Sequence, residues 1–171
     1  TTIIEDNYIL SQRTAFDRDL FAQESLRQYD LIIGNPPYKK IGKDALEALA
    51  IPEVCYGAPN LYFLFAAMGI KNLKDDAEMV YIIPRSWTSG AYFEKFRKFL
   101  FSHACIEYIH LFESRNKVFD KESVLQETMI VKFKKNTRFP SCITISTSAT
   151  NKDFSDLHKL DVPYQVVVSD N

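Results

Sequence analysis

Residues Tyr29–Gly34 (YDLIIG) run straight into Asn35-Pro36-Pro37-Tyr38. A short continuous apolar run bounded by turn residues reads as a buried strand. Two successive prolines stop it, because neither has an N–H to give a ladder and each fixes its own φ. The chain must leave its sheet at Asn35. In open α/β sheets ligands gather outside the carboxyl ends of strands, so this stop is also where a site belongs. Asn35 offers a side-chain carbonyl, and Pro36 aims a backbone carbonyl from a rigid frame with no N–H to compete. Two converging acceptors suit an –NH2 on a flat ring or carbonyl. The lone pair of such a nitrogen is delocalised. Accepting both of its hydrogens favours a pyramidal nitrogen whose lone pair can attack. Tyr38 adds an aromatic face for a planar substrate, a contact worth roughly 1–3 kcal/mol in nucleic-acid systems.

The elements around this stop predict an α/β sheet. Asn60–Leu73 (NLYFLFAAMGIKNL), apolar nearly all round after Pro59, predicts a helix packed on that sheet. Glu78–Pro84 (EMVYIIP) predicts a second buried strand, again ended by proline. In Ala91–Ala104, Phe93, Phe96, Phe99 and Leu100 fall at helical spacing, with Glu94, Lys95, Arg97 and Lys98 outward. Ile106–Phe112 and Val124–Phe133 read as strands, the latter with Met129, Val131 and Phe133 on one face and Ile130 and Lys132 on the other. The order strand–helix–strand–helix–strand–strand predicts a mostly parallel sheet with an antiparallel strand pair at its end. Thr1–Glu5, Cys142–Ser148 and Val162–Val168 are further candidate strands, Asp19–Gln28 a short helix, and Thr147–Asp153 a linker.

Composition bounds the rest. With 171 residues, 46% of them hydrophobic and 13% aromatic, the chain can build one core and is not a disordered segment. It has no apolar run of membrane-spanning length and no basic, apolar leader, so we expect no membrane partner and a cytoplasmic location. Starting at Thr1 rather than Met, it reads as a fragment. Cys55, Cys105 and Cys142 lack pairing or metal-ligand spacing, and His103, His110 and His158 read as structural or surface residues, so no metal site is expected. The net charge of −1 hides an asymmetry, since residues 85–138 carry eleven basic and six acidic side chains while the flanks are mildly acidic.

Four ordered motifs, YDLIIGNPPY, PNLYFLF, VYIIPRSW and VFDKESVLQETMIVKF, resemble the gamma-class adenine-N6 DNA methyltransferases of bacterial restriction–modification systems over roughly residues 29–135. The resemblance implies a partial Rossmann-like, S-adenosylmethionine-dependent fold that flips its target adenine out of double-stranded DNA, at a cost of a few kcal/mol. It implies that Asn35 and the Pro36 carbonyl accept from adenine N6 and that Tyr38 stacks on the base. Phe119 falls where the family places a second aromatic against that base. Asn60 and Tyr62 match the residues bordering the methionine end of the cofactor pocket. For the Asp that contacts the cofactor's adenine, Asp6 is preferred and Asp19 is the alternative. Lys39 and Lys40, just after the motif, are placed for the backbone around a flipped base. Arg85, Lys95, Arg97, Lys98, Arg115, Lys117, Lys132, Lys134, Lys135 and Arg138 are further candidates for phosphate contact.

One family feature has no match. The Gly-containing turn that receives the cofactor's methionine portion is absent, since the five glycines, at 34, 42, 57, 69 and 90, all lie at or after the YDLIIG strand. We therefore expect residues 1–138 to be a catalytic-domain fragment and 139–171 an extension toward a missing target-recognition domain. The partners implied are the remaining parts of a full-length methyltransferase, with a restriction endonuclease as a possible associate. Two rivals stand beside this reading: methylation of another planar amino group, a protein glutamine or RNA guanine N2, and a non-catalytic nucleic-acid-binding module. Cytosine-C5 methylation is disfavoured because it needs a cysteine nucleophile and the chain has no Pro-Cys.

Overall fold

A computed structural model describes residues 2–13, 27–112, 127–149, 154, 155 and 157–168. Its centre is a six-stranded sheet of β1 (Tyr29–Gly34), β2 (Leu73–Pro84), β3 (Cys105–Phe112), β4 (Thr128–Lys134), β5 (Cys142–Ser148) and β6 (His158–Pro163), in the order β1-β2-β4-β3-β5-β6. Strands β1, β2, β3 and β5 share one direction, while β4 and β6 oppose it. The sheet is thus mixed, with parallel strands in the majority, as the element order predicts. β3 and β4 are the expected antiparallel pair. β4, however, is inserted between β2 and β3, and β5 and β6 continue the same sheet beyond β3.

The helices are α1 (Tyr8–Ser11), α2 (Leu46–Ala50), α3 (Leu61–Asn72), α4 (Glu94–His103) and α5 (Tyr164–Val167). Parallel neighbours need a crossover, and α3 supplies the one between β1 and β2. It is buried nearly all round because it lies between the sheet, α4 and the N-terminal segment. It approaches β2 closely: a Cβ on Gly69 would stand 2.6 Å from Met79 Sδ. Helix α4 is amphipathic, with Phe96, Phe99 and Leu100 buried and Glu94, Lys95 and Lys98 exposed. The core between helices and sheet is aromatic. Phe63 meets Phe93 and Phe96 at centroid distances of 5.9 and 5.4 Å, and Trp87 meets Phe96 and Phe133 at 5.9 and 6.0 Å. Strand β4 alternates as predicted, with Met129, Val131 and Phe133 buried and Ile130 and Lys132 half-buried.

Five expectations need correction. Residues 2–5 form no strand; Ile3 and Ile4 are exposed and pair with none of the described strands, and α1 follows at Tyr8. Val162–Val168 is not one strand, because β6 ends at Pro163, which has no N–H for the ladder, and the chain coils into α5. β2 begins at Leu73 rather than Glu78, directly off the end of α3, with Asp76 at φ 63°. β1 is an edge strand, with Leu31 51% and Ile33 73% exposed, since only the face carrying Ile32 is covered by α3. The candidate linker starts inside β5, where Thr147 pairs with His158. The candidate helix at Asp19–Gln28 lies largely outside the described residues.

Candidate active site

β1 pairs with β2 up to Gly34 opposite Tyr81, and the Asn35–Tyr38 motif leaves from that carboxyl end. Gly34 is required there, because a Cβ would stand 2.9 Å from the Tyr81 ring. Pro36 is buried, Asn35 and Pro37 are exposed, and Tyr38 is half-buried. The Tyr38 hydroxyl donates to Asn35 Oδ1 at 2.9 Å and also lies 2.9 Å from the Ile82 carbonyl. Burial pushes the Tyr38 phenol up to about 12, so it is protonated at neutral pH.

The loop is clamped from below. Leu61 N donates to Lys39 O at 2.9 Å and Ile41 N to Pro59 O at 2.8 Å, which sets Lys40 opposite Asn60 in a short antiparallel bridge. Asn60 is the residue before α3, and its side chain makes no cap bond. Tyr62 is buried edge-on to the Tyr38 ring, 6.2 Å between centroids at 85°, with its hydroxyl 3.2 Å from Ser86 Oγ. Asn60 and Tyr62 therefore both touch the motif loop.

A pocket of about 410 Å³ opens on the other side of the motif, where the edge of β1 has no neighbour among the described strands. Its walls are Tyr8, Tyr29, Leu31, Ile32, Ile33 and Gly34, continuing through Asn35, Pro36 and Pro37 to Phe65 and Tyr81. Tyr8 and Phe65 face each other at 5.4 Å between ring centroids. Tyr8 is brought in by Asn72 at the end of α3, whose Oδ1 accepts from the Tyr8 hydroxyl at 2.9 Å while its Nδ2 donates to Gln12 Oε1 and Arg27 O. Burial raises the phenols of Tyr8 and Tyr81.

Sequence reasoning missed Tyr8, Phe65 and Tyr81. Phe65 had a signal, lying one helical turn beyond Tyr62 in the NLYFLF run. Tyr8 had none, because only the tertiary bond to Asn72 carries it to the pocket. Of the other predicted residues, Asp6 is exposed two residues before Tyr8, accepts from Asn7 N at 2.7 Å and does not line the pocket. Asn60 and Tyr62 do not line it either. Lys39 and Lys40 are exposed beside the motif, with Lys40 Nζ 5.9 Å from the Tyr92 ring centroid. Phe119, Asp19, Arg115 and Lys117 lie outside the described residues.

Much of the basic segment is engaged within the fold. Arg85 pairs with Glu127, and Arg97 donates to Trp87 O and Gly90 O. Lys98 pairs with Glu94, Lys132 with Glu78 and Glu107 at 2.7 and 3.0 Å, and Lys134 sits 3.9 Å from Glu107. Lys135 caps the end of α3 through Lys71 O and Leu73 O. Lys95 and Arg138 are exposed. His110 is buried between Ser146 and Ser148 and is structural.

β1 thus runs into an Asn-Pro-Pro-Tyr loop beside an open pocket, in a mixed sheet with β4 inserted antiparallel. The chain belongs to the Eco57I restriction-modification methylase family, which it matches over residues 2–119. It is 34% identical to the Type II methyltransferase M.BsuBI of Bacillus subtilis over 169 residues, 99% of this chain and 33% of that protein. It is also 34% identical to M.PstI of Providencia stuartii, covering 99% of this chain and 32% of the relative. The chain thus spans about a third of the length of these relatives. In fold it is similar to a class I S-adenosylmethionine-dependent methyltransferase from Listeria monocytogenes, with a TM-score of 0.59 at 19% identity, over 75% of this chain and 39% of that one. Among the described residues no helix is long and apolar enough to cross a membrane.

Proposed function

We propose that this chain is the substrate-facing part of a site-specific DNA methyltransferase that transfers a methyl group to the N6 amino group of an adenine flipped out of double-stranded DNA, within a cytoplasmic restriction–modification system. The observation that carries this reading is the Asn35–Tyr38 motif at the carboxyl end of β1, where the Tyr38 hydroxyl meets Asn35 Oδ1 and where Asn35, Pro36 and Pro37 line the pocket. Asn35 Oδ1 and Pro36 O accept the two amino hydrogens. Tyr38 and, by family resemblance, Phe119 enclose the base, and Lys39 and Lys40 take the flanking phosphates. Asn60 and Tyr62 hold the motif loop from the α3 side.

S-adenosylmethionine supplies an activated methyl group, and the pocket fits its uncharged parts. Tyr8, Tyr29, Phe65 and Tyr81 offer flat apolar surfaces beside Asn35. Among the described residues no Asp, Glu, Lys or Arg lines the pocket, so the ribose and the charged amino-acid end need groups beyond this lining. We assign the cofactor's adenine to Asp6 and the remaining contacts to a further segment of the longer protein, seated along the open edge of β1. Residues 1–138 are then catalytic, and 139–171 lead toward a target-recognition domain while extending the same sheet through β5 and β6.

The test is methyl transfer from labelled cofactor to unmethylated duplex DNA by the full-length protein and its Asn35→Ala variant. We expect N6-methyladenine from the parent and at least a hundredfold less from the variant, since the lost acceptor acts at the reacting nitrogen. Equal methylation by both proteins refutes the role of Asn35. Labelling of cytosine, protein or RNA instead overturns the substrate assignment.

A further inference from the structure

The Tyr38 hydroxyl has one proton and two acceptors at equal distance, Asn35 Oδ1 and the Ile82 carbonyl, each 2.9 Å away. Ile82 lies one residue past Tyr81, the last partner of β1, so its carbonyl faces the region where the motif loop has left the ladder. The ring that carries the hydroxyl is fixed edge-on by Tyr62, which is anchored on Ser86. The hydroxyl is therefore aimed from a rigid mount, and it keeps its proton at neutral pH.

Asn35 has no comparable anchor in its own backbone, since it is exposed and outside any helix or strand. Its amide carries a carbonyl at one end and an NH2 at the other, with nearly the same shape, and a half-turn exchanges them. Only the carbonyl end can accept from a substrate amino group; the other end would meet it donor against donor. We propose that the Tyr38 hydroxyl is a positioning group that keeps the carbonyl end of Asn35 turned toward the Tyr38 ring, the side on which a stacked substrate presents its amino group. Oδ1 has two lone pairs, one for the hydroxyl and one for the substrate. The Ile82 carbonyl gives the same proton a second acceptor at the same distance. This proposal gives the hydroxyl a role separate from the stacking assigned to the ring, and it rests on reading the motif as an amino-group site.

The test uses the full-length protein on duplex DNA, with 2-aminopurine placed at the target base once that base has been mapped. Tyr38→Phe keeps the ring. We expect the 2-aminopurine fluorescence and the KM for DNA to stay within twofold of the parent, while the single-turnover methylation rate falls about fivefold to tenfold, the worth of one neutral hydrogen bond. In an Asn35→Asp background either end of the side chain is an oxygen, so removing the hydroxyl there is expected to cost less than twofold. A Tyr38→Phe rate within twofold of the parent overturns the proposal. So does a rate loss matched by loss of the fluorescence signal, which marks stacking, or an equal loss in both backgrounds. If Asn35→Asp has no measurable rate, the split between rate and fluorescence in Tyr38→Phe alone decides. A parent protein that methylates no DNA overturns the functional reading itself, an outcome distinct from all of these.

Discussion

Strands β4 and β1 are both rich in apolar side chains, yet the fold treats them differently. In β4, which has β2 on one side and β3 on the other, Val131 and Phe133 are fully buried. In β1, with β2 as its one neighbour among the described strands, Leu31 is 51% and Ile33 73% exposed. The middle of the sheet is thus self-sufficient, packed under α3 and α4 by the Phe63, Trp87, Phe96 and Phe133 rings. The β1 edge has no partner among the described strands, along a strand with no proline or lysine within it, an arrangement that isolated proteins guard against. The proposed chemistry sits at that less finished edge, so what completes the edge also completes the site.

A cofactor titration is the strongest way to break this contrast. We expect residues 1–171 to give no saturable calorimetric signal with S-adenosylmethionine, and the full-length protein to give one. Among the described residues the pocket wall has no charged group for the ribose or the amino-acid end. Micromolar binding by residues 1–171 alone would show that the edge needs no completion.

Substitutions give a graded version of the same comparison. Phe133→Ala removes a fully buried ring and is expected to cost about 3–5 kcal/mol in urea unfolding. Ile33→Ala in residues 1–171 is expected to cost less than about 0.5 kcal/mol, because the side chain is largely in water. In the full-length protein the same change should cost more than about 1.5 kcal/mol, as for a covered aliphatic side chain. Equal, small costs in both contexts would mean that nothing seats on β1.

The same asymmetry explains which parts of the molecule the sequence disclosed. The alternation of Met129, Val131 and Phe133 and the helical spacing of Phe96, Phe99 and Leu100 are local patterns, and each is buried as its period requires. The stop at Pro36 and Pro37 is equally local, since a missing N–H ends a ladder in any context. The exposure of Leu31 and Ile33 was not legible. An apolar run records what a strand can bury, and says nothing of whether its neighbour is present. Tyr8 entered the pocket through Asn72, a contact spanning the chain from residue 8 to residue 72 with no periodic trace. The partners of the basic stretch were hidden for a related reason: Lys132, Lys134 and Lys135 find acidic or carbonyl partners on adjacent strands and at the end of α3, which a count of charges along the chain does not reveal.

The smallest expected effect lies on β3, inside the finished half. His110 Nδ1 is 2.7 Å from Ser146 Oγ and its Nε2 is 3.0 Å from Ser148 Oγ, with the Tyr108 hydroxyl donating to Ser146. Burial lowers the His110 pKa, so the folded state favours the neutral ring more than the unfolded chain does. The unfolded chain takes up a proton on this ring near the ordinary histidine value of about 6.5. The stability that neutral His110 contributes is therefore whole above that pH, and it drains away as the pH falls toward the lower folded value. We expect the urea midpoint of residues 1–171 to drop between pH 7.5 and pH 5, and His110→Gln to drop by less over the same interval, although it starts lower for want of a ring between Ser146 and Ser148. If the two proteins lose stability in parallel, the acid sensitivity belongs to the carboxylates at the surface, and the serine pair holds His110 without regard to its charge.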